Sequence, residues 1–69
     1  MNLGDRIKAK RDELDLTLEE VAKFVGVSRQ TIQKYESGVI SNIPSDKIES
    51  LAFALRTTPS YLMGWESSA

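Results

Sequence analysis

The sequence predicts an all-α protein, a compact five-helix bundle, and three observations carry that expectation. Apolar residues recur at helical spacings nearly throughout the chain. Most of these stretches open at a Ser or Thr that can cap a helix, and several stop at a glycine. No stretch alternates apolar and polar residues for long enough to suggest a strand. The chain has 69 residues, which allows one domain with a small core.

The first segment spans roughly 2–14. Leu3, Ile7 and Leu14 share a face, and Arg11 falls on the same face between Ile7 and Leu14. A guanidinium on an apolar stripe needs an anion partner or must snorkel to water. The second segment spans roughly 17–25. Thr17-Leu18-Glu19-Glu20 reads as a capping box, Leu18, Val21, Ala22 and Val25 form the apolar face, and Gly26 ends the helix. The third segment spans roughly 28–36. Ser28 caps it, Val27, Ile32 and Tyr35 point inward, and Ser37-Gly38 stops it. Residues 37–44 form a loop. The fourth segment spans roughly 45–56, capped by Ser45, with Ile48, Leu51, Ala52 and Leu55 inside. The fifth, roughly 59–63, is capped by Thr58, carries Pro59 at its first position and ends at Gly64. Residues 66–69 have nothing to bury and read as a flexible tail or the start of a linker.

Composition removes several function classes. The chain has no Cys and no His, so disulfides, Cys/His zinc sites and Cys- or Ser-His-Asp-type nucleophilic chemistry are excluded. Acidic neighbours such as Asp12/Glu13 and Glu19/Glu20 read as helix surface, and no glycine-rich phosphate loop occurs. The expectation is therefore a non-enzymatic protein with no metal, no cofactor and no small-molecule substrate. No apolar run approaches the about 20 residues that span a bilayer, and the start of the chain lacks the pattern of a signal peptide. These features suggest a cytoplasmic protein with no membrane partner.

The formal net charge of −1 and the pI of about 5.3 argue, taken alone, against a nucleic-acid binder. The mean conceals a pattern. Arg6, Lys8, Lys10 and Arg11 cluster at the start, Asp12, Glu13, Asp15, Glu19 and Glu20 follow without a basic residue among them, and Lys23, Arg29 and Lys34 come next. Such segregation either places positive charge on one surface or reflects ordinary solvated helix faces.

The second and third segments are short helices joined by a few residues. Ala22 permits close helix contact, Gly26 permits the turn, and Ile32 plugs the second helix into the core. That combination is the physical content of a helix-turn-helix. The run from Thr17 to Gly38 resembles the Cro/repressor-type helix-turn-helix of lambdoid phage repressors, a DNA-binding domain. The resemblance extends to Arg6–Arg11 as a first helix and to Ile48–Leu55 and Pro59–Gly64 as the fourth and fifth. It implies a domain over 1–65, with the helix-turn-helix at about 17–36 and the recognition helix at about 28–36.

Within that resemblance, the recognition helix enters the major groove with its amino-terminal residues at base edges. The exposed face then consists of Gln30, Arg29, Lys34, Gln33 and Ser28, in that order of expected importance. Gln suits adenine, and Arg or Lys suits guanine. Phosphate contacts are implied at Thr17, Leu18 and their amides, at Ser37 and Asn42, and at Lys10. The sequence also departs from the family. Its loop has Val39, Ile40, Ser41, Asn42 and Ile43 where the family carries Lys or Arg, and Leu18 stands where a Gln would add a phosphate contact. Both departures imply fewer neutralised phosphates and a shallower salt dependence. The family also pairs Arg11 with a Glu at the end of the recognition helix, here Glu36, which implies a partly buried structural ion pair.

The implied function is a transcriptional regulator, a phage or prophage repressor that binds a palindromic operator in double-stranded DNA and excludes polymerase. Such a protein would be a homodimer on DNA and weakly associated or monomeric alone. Phe24, Val39, Ile40, Phe53 and Trp65 exceed what the inner faces need; they either pack at the edge of the core or form a contact between copies. The alternative is a helical protein-interaction module of the same fold, such as an anti-repressor or antitoxin-like partner binder. The acidic stretch at 12–20 and the weakly charged loop favour it.

Overall fold

The computed structural model describes residues 1–65; the tail expected at 66–69 lies outside them. Five helices form, with no strand among the described residues: α1 (Leu3–Glu13), α2 (Leu18–Val25), α3 (Arg29–Ser37), α4 (Ser45–Ala54) and α5 (Pro59–Met63). None of these helices is long and apolar enough to cross a membrane. α1 lies on α3 and α5, α2 on α3 and α4, and α4 on α5. One core sits between them, built from Ile7, Val21, Ala22, Val25, Ile32, Tyr35, Leu51, Ala52, Leu55 and Leu62.

Local polar contacts fix where the helices begin. The Thr17 hydroxyl accepts from the Glu20 amide at 3.0 Å, and the Glu20 carboxylate accepts from the Thr17 amide at 2.9 Å. A second capping box forms at α1, where Asn2 accepts from the Asp5 amide at 2.9 Å. Asn2 is therefore the cap and not, as its place in the 2–14 stretch suggested, part of the helix. Ser28 and Thr58 cap α3 and α5 as their positions in the sequence suggest. At α4 the expectation fails. Pro44 is the cap residue, and its carbonyl accepts from Lys47 and Ile48 at 3.0 Å each, so Ser45 already lies inside the helix and its side chain caps nothing.

The ends of α1 and α4 show a device that the glycine pattern did not signal. Asp15 and Arg56 take positive φ values of 56° and 55°. The Leu16 amide reaches back to the Arg11 carbonyl at 3.0 Å, and the Thr57 amide to the Ala52 carbonyl at 2.9 Å. Both are Schellman closures, here built without glycine. The one at α4 stops that helix at Ala54, two residues short of the expected end at 56.

Two glycines are required for different reasons. Gly26 (φ 85°) has open space around its missing Cβ, so its role is the left-handed backbone that turns α2 into α3. Gly4 has ordinary helical geometry, but a Cβ there would stand 2.6 Å from the Tyr35 carbonyl oxygen and nearer still to that of Glu36. Both obstacles are backbone at the end of α3, so α1 rests against α3 only because position 4 lacks a side chain. Gly4→Ala should therefore destabilise the domain by about 1–3 kcal/mol despite alanine's better helix propensity. The check is a lower urea midpoint with an unchanged denaturant slope.

Candidate nucleic-acid interface

Two short helices meeting across a three-residue turn define the candidate surface. Ala22 lies under the crossing, almost fully buried, and its carbonyl accepts from the amides of Gly26 and Val27 at 2.8 and 3.0 Å. Ile32 and Tyr35 anchor α3 in the core. The opposite side of α3 is then fixed by helical period, and Arg29, Gln30, Gln33 and Lys34 are all exposed on it. Arg29 is the first residue of α3 and follows the cap residue Ser28. The Ser28 hydroxyl is occupied: it accepts from the Thr31 amide at 3.1 Å and shares a hydrogen bond with the Thr31 hydroxyl at 2.8 Å.

Beside α3, the entrance to α2 forms a hollow lined by Arg11, Leu16, Thr17, Leu18, Glu19 and Arg29. A second hollow is lined by Lys8, Arg11, Leu18, Gln33, Glu36 and Ser37. Leu18 and Arg11 belong to both. The fold thus gathers Thr17, Leu18, Arg29, Gln33 and Ser37 around one centre. The Leu18 side chain is half-buried against the core, so its polar contribution is limited to its amide. The Thr17 amide and hydroxyl are both taken by the capping box, which leaves the Leu18 and Glu19 amides as the first-turn donors without a capping side chain. The Ser37 hydroxyl donates to the Lys34 carbonyl at 3.3 Å.

Lys10 and Asn42 are not part of this group. Lys10 lies 5.0 Å from the centre of the Tyr61 ring and 3.5 Å from the Glu13 carboxylate, a position that ties α1 to α5. Asn42 is exposed in the α3–α4 loop and lines neither hollow. Lys8, which the sequence did not single out, does line the second hollow beside Gln33 and Ser37. Its only sequence signal was membership of the basic cluster at the start of the chain, and it pairs with Asp12 at 3.1 Å.

At the centre stands Arg11. Its Nε donates to Glu36 Oε2 at 2.6 Å, one terminal nitrogen donates to Glu36 Oε1 at 3.1 Å, and the other donates to the Leu16 carbonyl at 2.8 Å. Only 13% of the Arg11 side chain and 8% of the Glu36 side chain remain exposed. Hydrogen bonding to Glu36 holds the guanidinium above its ordinary pKa, against burial, which pulls it down; the charges of Glu36 and Asp12 add to the rise. A value raised by folding stabilises the fold at every pH below the unfolded value, and the contribution fades only as pH climbs through the folded one. The pair thus keeps its charge on Arg11 throughout the neutral range.

The five apolar residues that the inner faces did not need sort into three groups. Phe24 and Phe53 stack on each other, with centroids 5.6 Å apart and planes at 13°, while both remain exposed. Ile40 does not belong with them; it packs against the core. Val39 and Trp65 are exposed, and Trp65 borders a hollow with Ile43, Ile48, Pro59 and Met63.

The helix-turn-helix family profile matches residues 7–67 of the chain. An uncharacterized HTH-type transcriptional regulator of Sinorhizobium fredii is 30% identical over 60 residues, covering 87% of this chain and 41% of that protein. An uncharacterized transcriptional regulator in the ATPase CF(0) region of Rhodospirillum rubrum is 37% identical over 60 residues, covering 87% of this chain and 55% of its own length. The chain therefore spans about half of these relatives or less. Among solved structures, the P22 c2 repressor protein, crystallised with a synthetic operator, superposes with a TM-score of 0.88 at 29% identity, covering 96% of this chain and 98% of that one.

Removal of one partner from this partly buried pair is expected to be costly, because Arg11 then keeps only the Leu16 carbonyl and the exposed Asp12 in place of a bidentate carboxylate. Glu36→Ala should reduce unfolding free energy by about 3–5 kcal/mol. Urea unfolding checks this, and a loss below about 1 kcal/mol would show that the pair contributes no more than an exposed one.

Proposed function

The chain belongs to the helix-turn-helix family, and from that membership we propose that it is a sequence-specific DNA-binding transcriptional regulator that acts as a repressor of phage or prophage type. The observation that carries this reading is the exposed face of α3, where Arg29, Gln30, Gln33 and Lys34 stand beside the amino terminus of α2. Those side chains have the donor and acceptor patterns that read guanine and adenine in the major groove. In the proposed complex α3 lies in the groove, with Gln30 and Arg29 at base edges, Lys34 and Gln33 behind them and Ser28 at the margin. The backbone passes the Leu18 and Glu19 amides, Thr17 and Ser37. Lys8 adds charge on that side, with Lys10 and Asn42 at the periphery. The likeness to the P22 c2 repressor, solved with an operator, supports this arrangement.

The proposed target is a two-fold operator read by two copies of the chain, with half-sites about one helical turn apart. Association before DNA is weak in this reading, and the work is done in the cytoplasm, where occupancy excludes polymerase. A second reading, a helical module that binds another protein, is favoured by the stacked and exposed Phe24–Phe53 pair.

Selection from random duplexes separates the two. Enrichment of an inverted repeat is expected, with Gln30→Ala losing about 1–3 kcal/mol of discrimination at one position per half-site. Enrichment of a single half-site would assign a monomeric reader. No enrichment at low salt would favour the protein-binding module.

A further inference from the structure

The acidic residues between positions 12 and 20 are Asp12, Glu13, Asp15, Glu19 and Glu20. Most are occupied. Asp12 pairs with Lys8 and lies 3.6 Å from Arg11, Glu13 pairs with Lys10, and Glu20 closes the capping box. Asp15 and Glu19 have no ion-pair partner among the described residues. Asp15 sits in the α1–α2 connection and does not line the hollow at the entrance to α2. Glu19 does line it, and so does Arg29. These two exposed, opposite charges share one hollow without a direct bridge between them.

We propose that Glu19 is a specificity-determining residue that restrains Arg29 from pairing with the DNA backbone; the inference rests on the DNA-binding reading above. An unrestrained arginine beside a duplex pairs with phosphate, and phosphates are the same at every sequence. Such a contact raises affinity everywhere and discriminates nothing. A carboxylate in the same hollow competes with phosphate for the guanidinium and repels phosphate from the α2 amino terminus. A phosphate can also take the guanidinium fork, but it is an anion that Glu19 repels, whereas guanine O6 and N7 offer the same bidentate geometry on an uncharged base. Glu19 therefore lowers affinity on every duplex and lowers it least on the correct one, a repulsive element of the kind specific interfaces use. The neighbouring Glu20 cannot take this role, since its carboxylate already accepts from the Thr17 amide.

The test compares binding of the selected duplex and of a random duplex of equal length at two salt concentrations. The proteins are the wild-type chain, Glu19→Gln, Arg29→Ala and the double variant. Glu19 belongs neither to the capping hydrogen bonds nor to the core, so Glu19→Gln keeps its helical circular dichroism. Glu19→Gln should tighten random-duplex binding about three- to tenfold, steepen its salt dependence and narrow the gap to the selected duplex. In the Arg29→Ala background the same change should shift random-duplex affinity by less than about twofold. The proposal is overturned if Glu19→Gln leaves random-duplex binding unchanged. An equal gain with and without Arg29 also overturns it, and would assign plain repulsion of phosphate. A wild-type chain that binds no duplex removes the DNA-binding reading itself and this inference with it.

Discussion

The structure depends on one guanidinium. The turn at Gly26 fixes one end of the helix pair, where the carboxyl end of α2 meets the amino end of α3. Nothing in the turn fixes the other end, where α2 begins and α3 finishes. Arg11 closes that open corner from a third helix. Two of its nitrogens hold Glu36 near the end of α3, and the third holds the Leu16 carbonyl, one residue before the α2 cap. A lysine could supply the charge but not the planar fork that reaches both groups. Partial burial makes the ion pair a constraint more than a source of net stability, because desolvation offsets part of the attraction. Gly4 acts at the same place, letting the start of α1 touch the last carbonyls of α3. Charge and close packing therefore hold one junction, and the relative placement of α2 and α3 follows from it.

A core of about ten side chains in so short a chain leaves little surplus stability. Helices of eight or five residues are too short to persist alone. Their limits are set instead by contacts at the ends: capping boxes at α1 and α2, single caps at α3 and α5, and left-handed closures after all five helices, at Asp15, Gly26, Gly38, Arg56 and Gly64. Each closure also directs the next residue. After Asp15 turns the chain, Leu16 packs against the core while its carbonyl meets Arg11. Polar chemistry at the helix ends thus determines which apolar faces converge.

Features with a local signature were legible in the sequence. Thr17 and Glu20, three apart, announce a capping box whatever surrounds them, and Gly26 marks a turn because few other residues take its backbone conformation at low cost. The exposed face of α3 followed from period alone. Features that depend on tertiary context were not legible. Asp15 and Arg56 adopt left-handed backbone because the next segment must turn back onto the core, a demand absent from their own neighbourhood. Ile40 looked surplus until the loop folded it inward. Lys8 read only as one of a cluster of basic residues, and the packing of α1 on α3 brings it beside Gln33 and Ser37. Arg11 is intermediate: its place on an apolar stripe demanded an anion, but the residues alone did not say which one.

The same distinction bears on the charge of the chain. Its net value is −1, yet the acidic residues are not a uniform field. Asp12, Glu13, Glu20 and Glu36 are held by particular cations or amides within a few ångströms, so each is largely compensated where it stands. At the face of α3 the local field is then set by Arg29 and Lys34, with Glu19 as the uncompensated opponent. A low overall charge weakens long-range attraction to any polyanion, while short-range complementarity survives because it is decided within about one Debye length. On the DNA-binding reading, a chain of this kind gives up non-specific affinity and keeps the contacts that distinguish one sequence from another. The scarcity of basic residues in its loop then belongs to the recognition strategy itself.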